Sequence, residues 1–544
     1  MKRIPINKCL RGILVTALVV LAGLMLLKMA ASLHWRMEHD TPLLHYAAFL
    51  MDSYDAVPYR DIFETSMPGT FAFHYTVGRL FGYGDFAFRC VDLTLLCLLL
   101  AATYLYMARF GHLVAFSSSV TFGLVYLAHG QSMSLQRDYI GVIPVALALL
   151  CIPRRESSSV GLWRFVLTGF LFGLSGLVKP HLCITLPVVL WAILALRWES
   201  QNRIRASINA IMCCAAGFLI PLVAATLWLA TKSALPDFKL ILFDYLPLHS
   251  ALTGWHENIS RLRRVLYLVE STIKLGGYGI LTLVALWGMS TVLAQGDRRR
   301  LTGESVSVIA LLSCLFLYAI YTTLAGKFWS YHWMPFAYFC SISTGLCLFS
   351  LSAPTVRPLP QALRIASLFI ALTIHLSLPR YALSAYWDIH SGVESHAPKG
   401  GRVDEIATWL KANLRQGDTV QPLDWTGGTI HAMLLSEARL ATTFMYDYHF
   451  YHHISEPLIN KLRSSFIDQL QTARPKFVIS VETNKPWVSG LDSTRSFPEL
   501  EELLKDHYVA AFRGDGYVIY ERRAEDAYEN AQQDKSSVRG KPRR

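Results

Sequence analysis

The chain has 544 residues, 53% hydrophobic and only 17% charged, with a net charge of +12. A soluble chain of this length carries about a quarter charged residues, so a wholly soluble protein is excluded. Nucleic acid is excluded as a partner too. Much of the excess Lys and Arg lies in short loops between apolar runs (Arg154 and Arg155, Arg197, Arg203 and Arg205, Arg298 to Arg300, Arg357 and Arg364), and no basic face is interleaved with aromatics.

The chain opens on the basic stretch MKRIPINKCLRG and the apolar run ILVTALVVLAGLMLLKMAA. A run of about 19 residues exceeds a signal-peptide core and spans hydrocarbon, so it predicts a retained first transmembrane helix near 12–31. Ten more apolar runs follow near 89–108, 112–128, 139–153, 161–178, 181–197, 208–230, 276–294, 304–324, 333–352 and 364–381. With the N-terminus inside, eleven spans put every Arg-rich loop on the cytoplasmic side. The same alternation puts the first loop (34–88), the segments 129–138, 232–275 and 326–333, and everything after the last span outside. This is the expected topology of a multi-pass protein of a bacterial inner (plasma) membrane, with a periplasmic or extracellular C-terminal domain.

The first outer loop is too long and too apolar for a connector. Its stretches LLHYAAFLMDSY and GTFAFHYTVGRLFG predict amphipathic helices lying in the membrane interface. Residues 1–382 thus read as a polytopic α-helical membrane domain, 383–523 as a soluble α/β domain, and 524–544 as a polar, disordered tail. In the α/β domain VDEIATWLKANLRQG, SEPLINKLRSSFIDQLQTA and SFPELEELLKDHY predict helices, the last two opened by Ser. TVQPLDW, KFVISV, YVAAFR and YVIYER predict strands. All ten cysteines precede Arg380 without CxxC or Cys/His metal spacing, and read as small buried hydrophobes. His449, His452 and His453 in FMYDYHFYHHISEP lack a Cys or a helical His pair flanking an acid. That stretch predicts a loop packed on the membrane domain rather than a metal site.

Four polar clusters fall on the outer face. They are Glu38, His39 and Asp40 with VPYRDIFETSMPG (Tyr59, Arg60, Asp61, Glu64); Arg137 and Asp138; Lys179 and His181; and Lys327, Tyr331 and His332. Basic and aromatic residues at span ends commonly snorkel to headgroups. Acids there gain nothing from anionic lipids, which makes Asp40 and Asp138 functional candidates; the bland alternative for Asp138 is an ion pair with Arg137. A carboxylate can act as base toward an acceptor hydroxyl or amine, and cations neutralise charge developing on a departing phosphate.

The ordered set EHDTPLLHYA, AVPYRDIFETSMPG, FGYGDFAFRCVDL, QRDYIG, SGLVKP and FWSYHWMPF resembles the lipid-phosphate-dependent glycosyltransferases of the GT-C fold. That group holds protein O-mannosyltransferases, the lipid A aminoarabinose transferase and many bacterial envelope glycosyltransferases. The resemblance covers about residues 1–350, and beyond it only the presence of an outer α/β appendage matches. It implies hexosyl or pentosyl transfer from a polyprenyl-phosphate sugar to a lipid, glycan or protein acceptor, commonly with inversion, within a belt of membrane lipids. It implies Asp40 as general base or acceptor organiser and Asp138 as the second acid. Arg137, Lys179, Lys327, Tyr331 and His332 would surround the donor phosphate, with Glu38, Tyr59, Arg60, Asp61 and Glu64 as acceptor or loop residues. Several relatives carry Asp-Glu where this chain has Asp40-Thr41, so no cofactor is assigned and a divalent metal, used by part of the group, stays open. Two rival readings are an O-antigen ligase or polymerase using a diphosphate-linked glycan, and a transporter. A transporter would show charges or helix breaks in mid-span and internal two-fold similarity, which this sequence does not clearly show.

Overall fold

The computed structural model describes residues 6–155, 160–197, 203–252, 257–295, 302–352, 358–377, 397–483 and 489–523. Within the described residues each of the eleven apolar runs overlaps a helical segment. In chain order the membrane domain has α1 (Ile6–Ala31), α2 (Thr41–Tyr54), α3 (Pro68–Phe81), α4 (Asp85–Met107), α5 (His112–Ala128), α6 (Arg137–Leu149), α7 (Trp163–Val178) and α8 (Leu186–Ala195). It continues with α9 (Arg203–Thr231), α10 (Leu235–Leu240), α11 (Leu246–Ala251), α12 (Arg261–Ile273), α13 (Gly279–Gln295), α14 (Gly303–Ala325), α15 (Met334–Thr344) and α16 (Pro358–Ser377).

Length and apolar composition single out fewer crossings than the eleven expected. Among the described residues four helical stretches, Leu10–His34, Asp85–Phe110, Ile204–Thr231 and Gly303–Ala325, are long and apolar enough to cross a bilayer. A fifth crossing arises if Arg261–Gly277 and Gly279–Gln295, bent by 73°, count as one. Several others are shorter: α6 runs 13 residues through Pro144, α8 starts with Pro187 in its first turn after a 3-10 stretch, and α15 tightens into a 3-10 stretch at Gly345. α7 and α9 cross at close range. A Cβ on Gly169 would lie 1.9 Å from the Cys214 carbonyl oxygen, and one on Gly217 2.0 Å from that of Val166. Small residues let two backbones approach this closely where no hydrophobic effect drives helices together.

The C-terminal domain carries a five-stranded sheet in the order β3-β2-β4-β7-β6. Its strands are β2 (Thr419–Leu423), β3 (Arg439–Leu440), β4 (Phe477–Val481), β6 (Tyr508–Gly514) and β7 (Tyr517–Arg522). β2 runs parallel to β3 and β4, and β7 antiparallel to β4 and β6. A two-residue pair, β1 (Glu257–Asn258) with β5 (Ser489–Gly490), ties it to the membrane domain. The predicted helices are present at Arg402–Asn413, Pro457–Ala473 and Pro498–His507. Two of them start differently from expectation: Glu456 and Phe497, not Ser, occupy the caps, and neither side chain bonds the helix end. Pro457 and Pro498 set the first turn, where a missing N–H costs nothing. The 383–396 boundary and the 524–544 tail lie outside the described residues.

The first outer loop departs from expectation in α2. Thr41 to Leu50 are all buried, because this helix lies under the C-terminal domain, and Tyr46 OH donates to the Ala438 carbonyl at 2.7 Å. A helix apolar all round is buried rather than interfacial, and LLHYAAFL has no polar face. α3 keeps Leu80 and Phe81 exposed.

Candidate active site

Asp40 sits where a turn meets α2. His39 adopts φ 61°, and Asp40 occupies the cap position without bonding the helix end, which leaves its carboxylate for partners elsewhere. Three groups take it. His39 Nδ1 donates to Oδ1 at 2.9 Å, while Arg137 Nη2 and Tyr331 OH donate to Oδ2 at 3.2 and 3.3 Å. Burial acts to raise the Asp40 pKa, but His39 and Arg137 outweigh it and hold the carboxyl far below the usual range.

Arg137 and Asp138 open α6, and neighbours on a helix point in different directions. Asp138 therefore does not pair with Arg137. It accepts from Lys179 Nζ at 2.8 and 3.0 Å and from Tyr321 OH on α14. Lys179 is placed by the end of α7, where Pro180 starts a new turn. A third acid, Asp92, buttresses the assembly from below. It takes bonds from Arg89, Tyr126 and the Leu135 amide. Arg89 also holds Ser32 and Ser134, so the turns preceding Asp40 and Arg137 are fastened to α4.

Lys327 and His332 close the site from the turn after α14. His332 Nδ1 donates to the Lys327 carbonyl at 2.5 Å, and Lys327 Nζ to His249 Nε2 at 2.7 Å. Burial, and then the nearby Arg137, push the Lys327 amine down to about 7. Burial and Lys179 take His332 down to about 3, so it is neutral. Trp329 and Tyr331 present ring edges to His39 at 6.0 and 5.5 Å between centroids. Trp329 also lines a cavity of about 870 Å³ with Tyr267, Phe328 and Trp333.

The structure thus brings together Asp40, Arg137, Asp138, Lys179, Lys327, Tyr331 and His332. It places the other sequence candidates elsewhere. Arg60 and Asp61 pair with each other at 2.7 Å, half exposed, and line a groove of about 640 Å³ against the C-terminal domain. Tyr59 is buried and its OH donates to the Ser66 carbonyl at 2.7 Å. Glu64 is buried and bonds Ser66 and Tyr446. Glu38 lines a small cleft with His39, Lys399 and His431 beneath the C-terminal domain. Sequence reasoning missed Tyr321, Ser66, His249 and Tyr446. Tyr321, six residues before Lys327 at an outer span end, was findable; Tyr446, in another domain, was not.

The C-terminal domain is clamped to the site's rim. Arg36 bridges Asp85 and Asp404, each at 2.7 Å, His431 reaches Asp85 at 3.0 Å, and the Phe63 amide donates to Thr443. The aromatic stretch after Phe444 packs on the membrane domain, with Tyr245 OH against His449 Nδ1 at 2.5 Å. Among the described residues no three His, Cys, Asp or Glu side chains converge as metal ligands. Asp40 and Asp138 are each already neutralised by cations, a poor fit to a divalent ion at this site.

No protein-family model matches the sequence, and no curated protein matches it. Solved structures do. ArnT from Cupriavidus metallidurans bound to undecaprenyl phosphate aligns with TM-score 0.56 at 12% identity, over 92% of this chain and 97% of that one. Its apo state gives 0.52 at 12% identity, over 94% and 98%. The Archaeoglobus fulgidus oligosaccharyltransferase tethered with an acceptor peptide gives 0.51 at 13% identity, over 94% and 74%. The folds of ArnT and of this oligosaccharyltransferase are GT-C folds. Over nearly its whole length, membrane domain and α/β appendage together, the chain has the GT-C fold.

Proposed function

We propose that the protein is a membrane glycosyltransferase that moves a hexosyl or pentosyl unit from a polyprenyl-phosphate donor to an envelope lipid, glycan or protein. The observation that carries the reading is one ionised carboxylate, Asp40, beside a buried basic cluster of Arg137, Lys179 and Lys327. Undecaprenyl phosphate in the similarly folded ArnT supports the donor class.

In this reading the acceptor oxygen or nitrogen attacks the anomeric carbon as the bond to the phosphate oxygen breaks. The electron pair leaves with polyprenyl phosphate, and Arg137, Lys179 and Lys327 balance the added charge. Asp40 hydrogen-bonds the acceptor's proton and accepts it late. A carboxylate held this low is a weak base but is always ionised, which suits orientation followed by late transfer. Attack opposite the phosphate inverts the anomeric centre. Asp138, enclosed by Lys179 and Tyr321, serves as the positioning acid for Lys179. The topology that accompanies this function has eleven crossings within 1–382, the N-terminus in the cytoplasm and 383–523 outside a bacterial inner membrane. The test is purified chain in proteoliposomes with a radiolabelled polyprenyl-phosphate sugar. Release of polyprenyl phosphate by wild type and its loss in Asp40→Asn support the proposal, and equal release by both refutes the role of Asp40.

A further inference from the structure

Glu64 and Tyr446 are 382 residues apart and in different domains, yet an unbroken line of hydrogen bonds leads from them to Asp40. Tyr446 OH donates to Glu64 Oε2 at 2.7 Å. Glu64 Oε1 accepts from the Ser66 hydroxyl at 2.9 Å and from its amide at 3.2 Å. Ser66 Oγ accepts from Arg137 Nη1 at 3.0 Å, and Arg137 Nη2 donates to Asp40 at 3.2 Å. Glu64, Ser66 and Tyr446 are all at most 5% exposed.

The chemistry of each link sets the next. A hydroxyl has one proton and two lone pairs. With its proton on Glu64, Ser66 Oγ can only accept from the guanidinium. Arg137 is a planar fork whose two terminal nitrogens are held by Ser66 and Asp40. Its Nε has no partner among the described residues, so those contacts determine its orientation. The loop carrying Glu64 is fixed to the C-terminal domain by the Phe63 amide on the Thr443 carbonyl at 2.8 Å. Gln469 Oε1 accepts from the Thr443 amide at 2.8 Å.

We infer that the C-terminal domain completes the active site through Tyr446, which with Glu64 and Ser66 forms a positioning relay that holds Arg137 against Asp40. For its effect on turnover the relay rests on the transferase reading; its effect on Asp40 does not. Groups facing Asp40 are His39, Arg137, Tyr331, His332, Lys327, Lys179 and, at longer range, Tyr446. Releasing Arg137 weakens one of the cations that keep Asp40 ionised and raises the pH at which it protonates.

The experiment is infrared difference spectroscopy of the full chain in nanodiscs at pH 7, with the Asp40 carboxylate band identified by its loss in Asp40→Asn. Tyr446→Phe and Ser66→Ala should each shift that band toward the position of a carboxylate without its guanidinium partner, and Ser66→Thr, which keeps the hydroxyl, should restore it. Where wild type turns over, kcat should fall several-fold in Tyr446→Phe and Ser66→Ala and recover in Ser66→Thr. A band unmoved in both variants, with folding intact by circular dichroism, would overturn the relay. Absence of transfer by wild type would count against the transferase reading alone, because the infrared band needs no substrate.

Discussion

Lys327 offers a test of the phosphate pocket by pH alone. Its amine is pushed down to about 7 by burial and by Arg137, so it is about 90% charged at pH 6 and about 10% at pH 8. A polyprenyl-phosphate sugar is a phosphodiester and stays singly anionic across that window, and His332, at about 3, is neutral throughout. An incoming anion favours the charged amine. Donor affinity is therefore full below the amine's free pKa and falls as pH rises through it, by about tenfold for each unit that the bound donor raises it. A charge-assisted hydrogen bond of about 1.5–3 kcal/mol bounds the total loss at about 10- to 150-fold. The assay is donor KM from pH 5.5 to 9 in proteoliposomes for wild type, Lys327→Arg and Lys327→Met. Wild type should weaken above about pH 7, Arg should stay tight and flat, and Met should be weak and flat. A wild-type profile without slope, or a slope that survives in Arg, would remove Lys327 from the donor site.

Other consequences follow from the packing. Asp138 is fully buried and Lys179 largely so, so Asp138→Asn or Lys179→Met alone strands a buried charge. Each should cost about 3–5 kcal/mol, seen as a lower Tm in detergent. The double variant Asp138→Leu/Lys179→Met should recover most of the Tm without activity. Gly169→Leu places a side chain on the Cys214 carbonyl, and size-exclusion chromatography should show loss of the monodisperse species; a normal profile would contradict the α7–α9 contact. Reporter fusions after Arg380 should behave as periplasmic, whereas cytoplasmic signals would invert the proposed topology.

The helices and the outer polar clusters were legible in the sequence because apolar run length and charge asymmetry are local signals. Pairings were not. Arg137 and Asp138 are adjacent in sequence, yet helix geometry sends one to Asp40 and the other to Lys179 across 41 residues. α2 reads as interfacial only while the C-terminal domain that covers it is left out. Glu64 reads as a loop acid until Tyr446, which no local pattern connects to it, is placed beside it. The apolar run near 181–197 does not reveal that it divides into a 3-10 stretch, Pro180–Thr185, and a short helix opened by Pro187.

The measurement closest to the central claim is mass spectrometry of polyprenyl-phosphate sugars in cells lacking the chain, complemented with wild type or Asp40→Asn. The account predicts that one lipid-linked sugar accumulates, that wild type clears it, and that Asp40→Asn, expressed at the same level, leaves it in place. Clearance by Asp40→Asn would contradict the role of Asp40. No accumulation in the deletion, with a diphosphate-linked glycan rising instead, would contradict the donor class.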